Sequence, residues 1–245
     1  MNFKNMRNLI DDVKSWSQQI GINYNYIIGV PDSGLLVSHL LSIYTGKPLR
    51  SCHYNDTALV VDDTFLTGKT MSWWKKHYPH AKYGAVYVKP GMERKLHTHY
   101  ESLAPPRMFE WNFFKSRHLE NSMMDIDGIL CRNPMKHEID YGPKMAEFYQ
   151  TVKPRMIPSV TVGKLVTCRL NKYRPMTVMW LKENGIRFGE LVMRDSRKQG
   201  HGEFKAKIYK NSKAILFIES PTKQSRVIAK LSGKPVLCCE TMEML

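Results

Sequence analysis

The sequence predicts an α/β protein built from two parallel-sheet domains. Three observations carry that expectation. Short apolar runs alternate with segments of helical period from end to end, the pattern of strands joined by crossover helices. Two of those apolar runs end abruptly in paired acids, Asp62-Asp63 and Asp125-Ile126-Asp127. A Pro105-Pro106 break divides the chain into halves that are each long enough to bury a core.

The expected strands are 26–30, 58–61, 83–89, 121–126, 164–168, 191–194, 214–218 and 235–238. Each is a run of four to eight mostly apolar residues. The expected helices are 5–20, 34–44, 68–77, 141–151, 174–184, 203–210 and 222–231. The domains are placed at 1–107 and 108–245. The aromatic stretch 109–114 reads as a packed linker or an extra strand.

Composition narrows the classes. Apolar residues make up 42% and charged residues 24% of the 245, ordinary for a globular protein. No apolar run approaches the ~20 residues of a bilayer span, and the N-terminus lacks a signal-peptide core. A cytoplasmic protein is expected. The five cysteines, Cys52, Cys131, Cys168, Cys238 and Cys239, form no CxxC pair and suggest neither disulfides nor zinc. The net charge of +15 divides as +4 over residues 1–110, −1 over 111–150 and +12 over 151–245. So basic a C-terminal part suits phosphorylated ligands or nucleic acid, or is a solvated face.

Residues 58–70 read ALVVDDTFLTGKT. A buried strand delivers Asp62 and Asp63 at its C-terminal end, where ligands bind in open α/β sheets. The turn from Thr64 through Thr67, Gly68, Lys69 and Thr70 leads into a helix whose free amides would cradle a phosphate. The acids would then take ribose hydroxyls. This stretch resembles the phosphoribosyl pyrophosphate (PRPP) motif of type I phosphoribosyltransferases. The upstream strand–loop–helix with Asp32, Ser33 and Gly34 resembles the pyrophosphate loop of the same family. Two departures stand out. Only a short connection, 45–55, precedes the next strand where the family has a long mobile loop and hood. Leu66 also replaces the acid of purine-type members.

Residues 121–130 read NSMMDIDGIL. If extended, Asp125 and Asp127 share one face. One carboxylate can attack phosphorus while the other moves a proton, with a cation neutralising charge. Downstream, Thr167 ends an apolar strand, Lys205 sits near a helix start, and Glu219 ends another strand. In that order these features resemble the four motifs of haloacid dehalogenase (HAD)-like phosphatases. The resemblance implies Asp125 as nucleophile and Asp127 as general acid/base. It implies Thr167 and Lys205 (Lys207 being the rival lysine) as phosphate ligands, and Asp125, Asp127 and Glu219 as Mg²⁺ ligands. Ser220 stands where a second acid is usual. Only 42 positions separate Asp125 from Thr167 and 38 separate Thr167 from Lys205, too few for a large cap.

Residues 173–210 are similar to the corresponding part of polynucleotide 3′-phosphatases. Arg169, Lys172, Arg174, Arg194, Arg197 and Lys198 are candidates to track a nucleic-acid backbone. The implied fold is two Rossmann-like parallel-sheet domains, phosphoribosyltransferase-like and then HAD-like. The implied activity is a Mg²⁺-dependent phosphomonoesterase acting on a nucleotide, phosphosugar or nucleic-acid phosphate, joined to a domain binding PRPP or a nucleotide. Two alternatives stay open: an active phosphoribosyltransferase of orotate or amine type whose product the phosphatase processes, and a non-catalytic nucleotide or PRPP sensor.

Overall fold

A computed structural model describes residues 1–51 and 57–245. Cys52 and the end of the short 45–55 connection lie outside the described residues. The chain forms two compact units, Met1–Trp111 and Asn112–Leu245. Both are α/β with parallel sheets.

The first unit opens with β1 (Asn2–Lys4) and α1 (Met6–Gln19). Asn5 and Asn8 form a reciprocal cap at the start of α1, satisfying amides that the helix leaves unpaired. Leu9, Val13 and Trp16, at helical spacing, are its buried stripe. There follow β2 (Tyr26–Gly29), α2 (Ser33–Thr45), β3 (Ala58–Phe65), α3 (Lys69–His77), β4 (Lys82–Val88), β5 (Thr98–Ser102) and β6 (Arg107–Phe109). Four strands make a parallel sheet in the order β2-β3-β4-β5, and β1 pairs with β6 in parallel. Alternate residues feed two cores. Ile27, Leu59 and Val61 join Leu9, Trp16 and Val37; Tyr26, Ile28 and Val60 join Met71 and Tyr83.

The first unit differs from the sequence expectation at three places. Strand β3 does not stop at Val61 but runs through both acids, because Thr64 and Phe65 pair with Tyr87 and Val88. Residues 98–102, polar enough to pass for a loop, form an edge strand on β4. Pro105-Pro106 interrupts the chain as expected, yet β6 returns to pair with β1, so this compact unit continues to Trp111.

The second unit comprises β7 (Ser122–Met124), α4 (Pro143–Thr151), β8 (Val162–Leu170), α5 (Arg174–Glu183) and β9 (Phe188–Arg194). Then come α6 (His201–Lys210), β10 (Leu216–Glu219), α7 (Thr222–Ser232), β11 (Val236–Cys238) and β12 (Glu243–Met244). The sheet order is β12-β11-β10-β7-β8-β9, with only β12 antiparallel. From β7 the chain moves outward to β8 and β9, then crosses back to place β10 on the other side of β7. The boundary between β7 and β10 is therefore a topological switch point, and a crevice opens at the carboxyl ends of strands there. The core below it gathers Met123, Val166, Tyr209, Phe217, Ile228 and Val236. The aromatic stretch expected as linker or strand forms a 3₁₀ turn over Glu110–Lys115.

Candidate functional site

The switch point places two of the expected acids opposite each other. Strand β7 ends at Met124, and the Asp125 amide continues the ladder by donating to the Ile218 carbonyl at 3.0 Å. Glu219 is the next residue on that neighbouring strand. Between them lies Lys205, in the second turn of α6 rather than at its start. Its Nζ donates to Asp125 Oδ2 and to Glu219 Oε2, both at 2.6 Å, and to Gln224 Oε1 at 3.3 Å. All three ammonium hydrogens thus have acceptors. The other carboxylate oxygens are also engaged: Asp125 Oδ1 accepts from the Ile126 amide and Glu219 Oε1 from the Ser220 amide. Lys207 points elsewhere and lines a separate cavity.

Burial sets the electrostatics. Glu219 is fully buried and Lys205 is 1% exposed. Burial first, then the Asp125 charge, pushes the Glu219 carboxyl well above its ordinary range, against the pull of Lys205. Burial works against the Lys205 ammonium as well, but Asp125 and Glu219 outweigh it and hold its pKa above the ordinary value.

Asp127 lies beyond the strand, in the turn that Gly128 makes, so the two acids do not share a strand face. Both nevertheless line one cavity of about 660 Å³. Gly128 has φ of +87°, and a Cβ there would stand 2.5 Å from Ser220 Oγ. Only glycine permits both this turn and the close approach of Ser220. Asp127 is held by Arg169: Nε donates to both carboxylate oxygens at 3.2 and 3.0 Å, and Nη2 to Oδ1 at 2.7 Å. The guanidinium is 1% exposed, 4.2 Å above the Tyr149 ring centroid and 5.6 Å from that of Trp180.

Thr167 is placed differently from the expectation. Strand β8 runs past it to Leu170; Thr167 is fully buried and its hydroxyl accepts from the Arg169 amide. Cys168 and Arg169 line the cavity beside it. The basic residues also need correction as an exposed track. Arg169 and Arg194 are buried, at 1% and 3% exposure, because both turn inward from their strands. Arg174 is tied to Asn171 and to the Leu191 carbonyl. Gln224 and His201, neither among the expected site residues, also line the cavity; His201 opens α6. The signal that could have found Gln224 is its place in the first turn of α7, the helix that follows Glu219. A larger cavity of about 770 Å³ lies near the starting ends of β7 and β8, by Asn121 and Gly163, and contains none of the three acids.

Among the described residues no group of three or more His, Cys, Asp or Glu side chains is gathered to hold a metal ion. The donor set at the switch point is two buried carboxyl groups clamped on one ammonium. Mg²⁺ there would have to take carboxylate oxygens that now accept from Lys205 or from the Ile126 and Ser220 amides.

In the first unit the expected ligand residues separate. Asp63 follows Val61 onto one face of β3, where its Oδ2 accepts from Trp111 Nε1 at 2.7 Å. Asp62 follows Val60 onto the other face, and its Oδ1 accepts from the Asp63 amide. Burial, then the Asp63 charge, raises Asp62 to about 8. Gly68 is the N-cap of α3, with Lys69 and Thr70 as its first residues. Thr67 Oγ1 accepts from the Lys69 amide at 3.4 Å, and the Thr64 hydroxyl is buried without a partner. Asp32 caps α2, which Ser33 and Gly34 begin. A Cβ on Gly34 would lie 2.5 Å from the Val61 carbonyl oxygen, so glycine lets the helix start press on β3 just before Asp62. Trp74 packs on the core, whereas Trp73 is exposed and stacks on His77 at 4.0 Å.

No protein-family model matches the chain, and no curated protein matches it. Solved structures do resemble it. A purine phosphoribosyltransferase from Pyrococcus horikoshii Ot3 is 18% identical over 45% of this chain and 92% of its own, with a TM-score of 0.40. A xanthine-guanine-hypoxanthine phosphoribosyltransferase from Helicobacter pylori is 13% identical over 45% and 92%, at 0.38. A chain of the Pnkp1/Rnl/Hen1 complex is 13% identical over 97% of this chain and 87% of its own, at 0.35. At such identities and scores these likenesses carry no functional weight. Among the described residues no helix is long and apolar enough to cross a membrane.

Proposed function

We propose that the second unit is a phosphomonoesterase that forms a phosphoryl intermediate on Asp125, and that the first unit binds a phosphoribosyl or nucleotide ligand. The observation that carries the phosphatase reading is Lys205, buried and clamped between Asp125 and Glu219 at the edge of an open cavity. An ammonium fixed there restrains the attacking carboxylate and offsets charge as an anionic ester approaches.

In this reading an Asp125 oxygen attacks phosphorus and the bond from phosphorus to the leaving oxygen breaks. Asp127 supplies the proton that the leaving oxygen takes up. Water then attacks the phosphoryl group, Asp127 takes its proton, and the Asp125–phosphorus bond breaks to release phosphate. Arg169 orients Asp127 through both carboxylate oxygens, so part of that pairing must yield to the ester oxygen during the first step. Mg²⁺ held by Asp125, Glu219 and the Asp127 carbonyl would neutralise charge on the phosphoryl oxygens. With Thr167 turned to the Arg169 amide, binding of the transferred phosphoryl group falls chiefly to Lys205.

In the first unit the turn at Leu66, Thr67 and Gly68 and the start of α3 offer amides and hydroxyls to a phosphate. Asp62 is the acid left to meet a ribose hydroxyl, since Asp63 is engaged by Trp111. The test is phosphate release from an aryl phosphate with and without Mg²⁺. Wild type should turn over, and Asp125→Asn should fall to background. Equal rates in the two proteins would remove the reading. Calorimetry with PRPP on wild type and Asp62→Asn tests the first unit separately.

A further inference from the structure

The wall of the cavity beside Asp125 holds cations that the reaction at Asp125 does not use. Lys205 is engaged by Asp125 and Glu219, and Arg169 by Asp127. Arg194, the last residue of β9, is different. It is 3% exposed and lines the same cavity, its Nη2 donates to the Gln199 carbonyl, and its Nε has no partner. A buried guanidinium hydrogen without an acceptor is costly, and such groups are kept where a ligand supplies one.

The surroundings of Arg194 point to an anion. Arg197 and Lys198 line the same cavity, Arg197 lying 4.1 Å from the Tyr141 ring centroid. Among the described residues no carboxylate forms an ion pair with Arg194, Arg197 or Lys198. Gly200 and His201, the cap and first residue of α6, also line the cavity, the Gly200 amide donating to Glu203 Oε2 at 3.3 Å. Arg194 is also near the reaction centre. Arg194, His201, Lys205 and Asp125 all line this one cavity. The cavity volume suits a ligand of nucleotide size. Across it, Ile139, Met145 and Tyr149 give an apolar wall for a sugar or base.

We propose that Arg194, with Arg197 and Lys198, forms a second anion subsite, and that the preferred substrate is a small phosphomonoester whose leaving group carries a second phosphate. The inference rests on the phosphatase reading for its first phosphate and on Arg194 for its second. A guanidinium fork pairs with phosphate through two parallel hydrogen bonds, which fixes the leaving group as well as holding it.

The experiment compares kcat/KM for adenosine 3′,5′-bisphosphate with that for adenosine 3′- and 5′-monophosphate. Wild type should prefer the bisphosphate by about 10- to 100-fold, the worth of one charge-assisted contact. Arg194→Gln should bring the ratio close to one. Arg197→Gln, a change at an exposed position, should lower the ratio by a smaller factor of about three, and it guards against misfolding of the buried variant. A wild-type ratio near one overturns the proposal. So does an equal loss on all substrates in Arg194→Gln, which would assign that arginine to the transferred phosphoryl group. If nothing is hydrolysed, calorimetry with the same three nucleotides separates the two readings. Tight binding of the bisphosphate that Arg194→Gln abolishes would keep the subsite and discard the phosphatase; no binding of any nucleotide would discard both.

Discussion

Replacing Lys205 by methionine keeps most of the side chain's volume and removes its charge. Asp125 and Glu219 would then face each other with no cation between them, at 5% and 0% exposure. Removing one partner of a buried ion pair costs about 3–5 kcal/mol, chiefly because an uncompensated charge stays behind. Here the ammonium serves two acids, so the upper end of that range is expected for the second unit. Adding Glu219→Gln removes one of the stranded charges while its carbonyl still accepts from the Ser220 amide. The double variant should recover more than half of the loss. Hydrogen exchange of peptides covering β7 and β10 through a urea titration reads this unit without interference from the other. Destabilisation below about 1 kcal/mol, or a double variant as unstable as the two single losses added together, would refute the placement of Lys205 between the acids.

Three further outcomes follow from the geometry. Arg169→Lys retains the charge but cannot hold both oxygens of Asp127 or stack as a plane on Tyr149; kcat in a phosphatase assay should fall by about 10- to 100-fold with KM little changed. Asp62 is raised from the ordinary carboxylate range to about 8 in the folded protein, so its contribution to stability is full at acid pH and is lost as pH rises towards 8. Asp62→Asn escapes that loss and should be the more stable protein at pH 8, by at most about 5 kcal/mol, with the gap closing near pH 4 in thermal melts. Gly34→Ala puts a methyl 2.5 Å from the Val61 carbonyl oxygen, a backbone atom that cannot swing aside. Melts of the first unit should show a loss of about 1–3 kcal/mol.

Much of the fold was legible because the strands flanking the acids are buried on both faces and read as unbroken apolar runs. ALVV and AILFI needed no tertiary information. What escaped was decided by pairing at a distance. THYES at 98–102 has no strand pattern of its own and is extended because β4 offers it an edge. Thr64 and Phe65 read as a turn, yet Tyr87 and Val88 prolong the ladder beneath them. At the site, acids and lysine were legible from motif order, since carboxylates at strand ends have few other uses. Arg169 and Arg194 were not. An arginine in a basic segment reads as surface, and only the folded chain reveals that Asp127 draws the first of them inside. The division of Asp62 from Asp63 was implicit in period-two alternation, had β3 been drawn to its full length.

The placement of these arginines changes what the +12 charge of residues 151–245 means. It is not simply a film on the surface. At the floor of the cavity lie Asp125 and Asp127, with Glu219 fully buried against Lys205, carboxylates that a divalent cation would meet. On the wall, Arg194, Arg197 and Lys198 have no acid partner among the described residues, which suits an anion. A phosphate ester accompanied by a divalent cation satisfies both regions at once, whereas either alone satisfies only one. Affinity for ester and for Mg²⁺ should therefore be mutually reinforcing, and by linkage each should tighten the other by the same factor. Calorimetric titration of a non-hydrolysable phosphonate analogue of the bisphosphate, with and without Mg²⁺, measures that factor directly; a value of one would mean that floor and wall act independently.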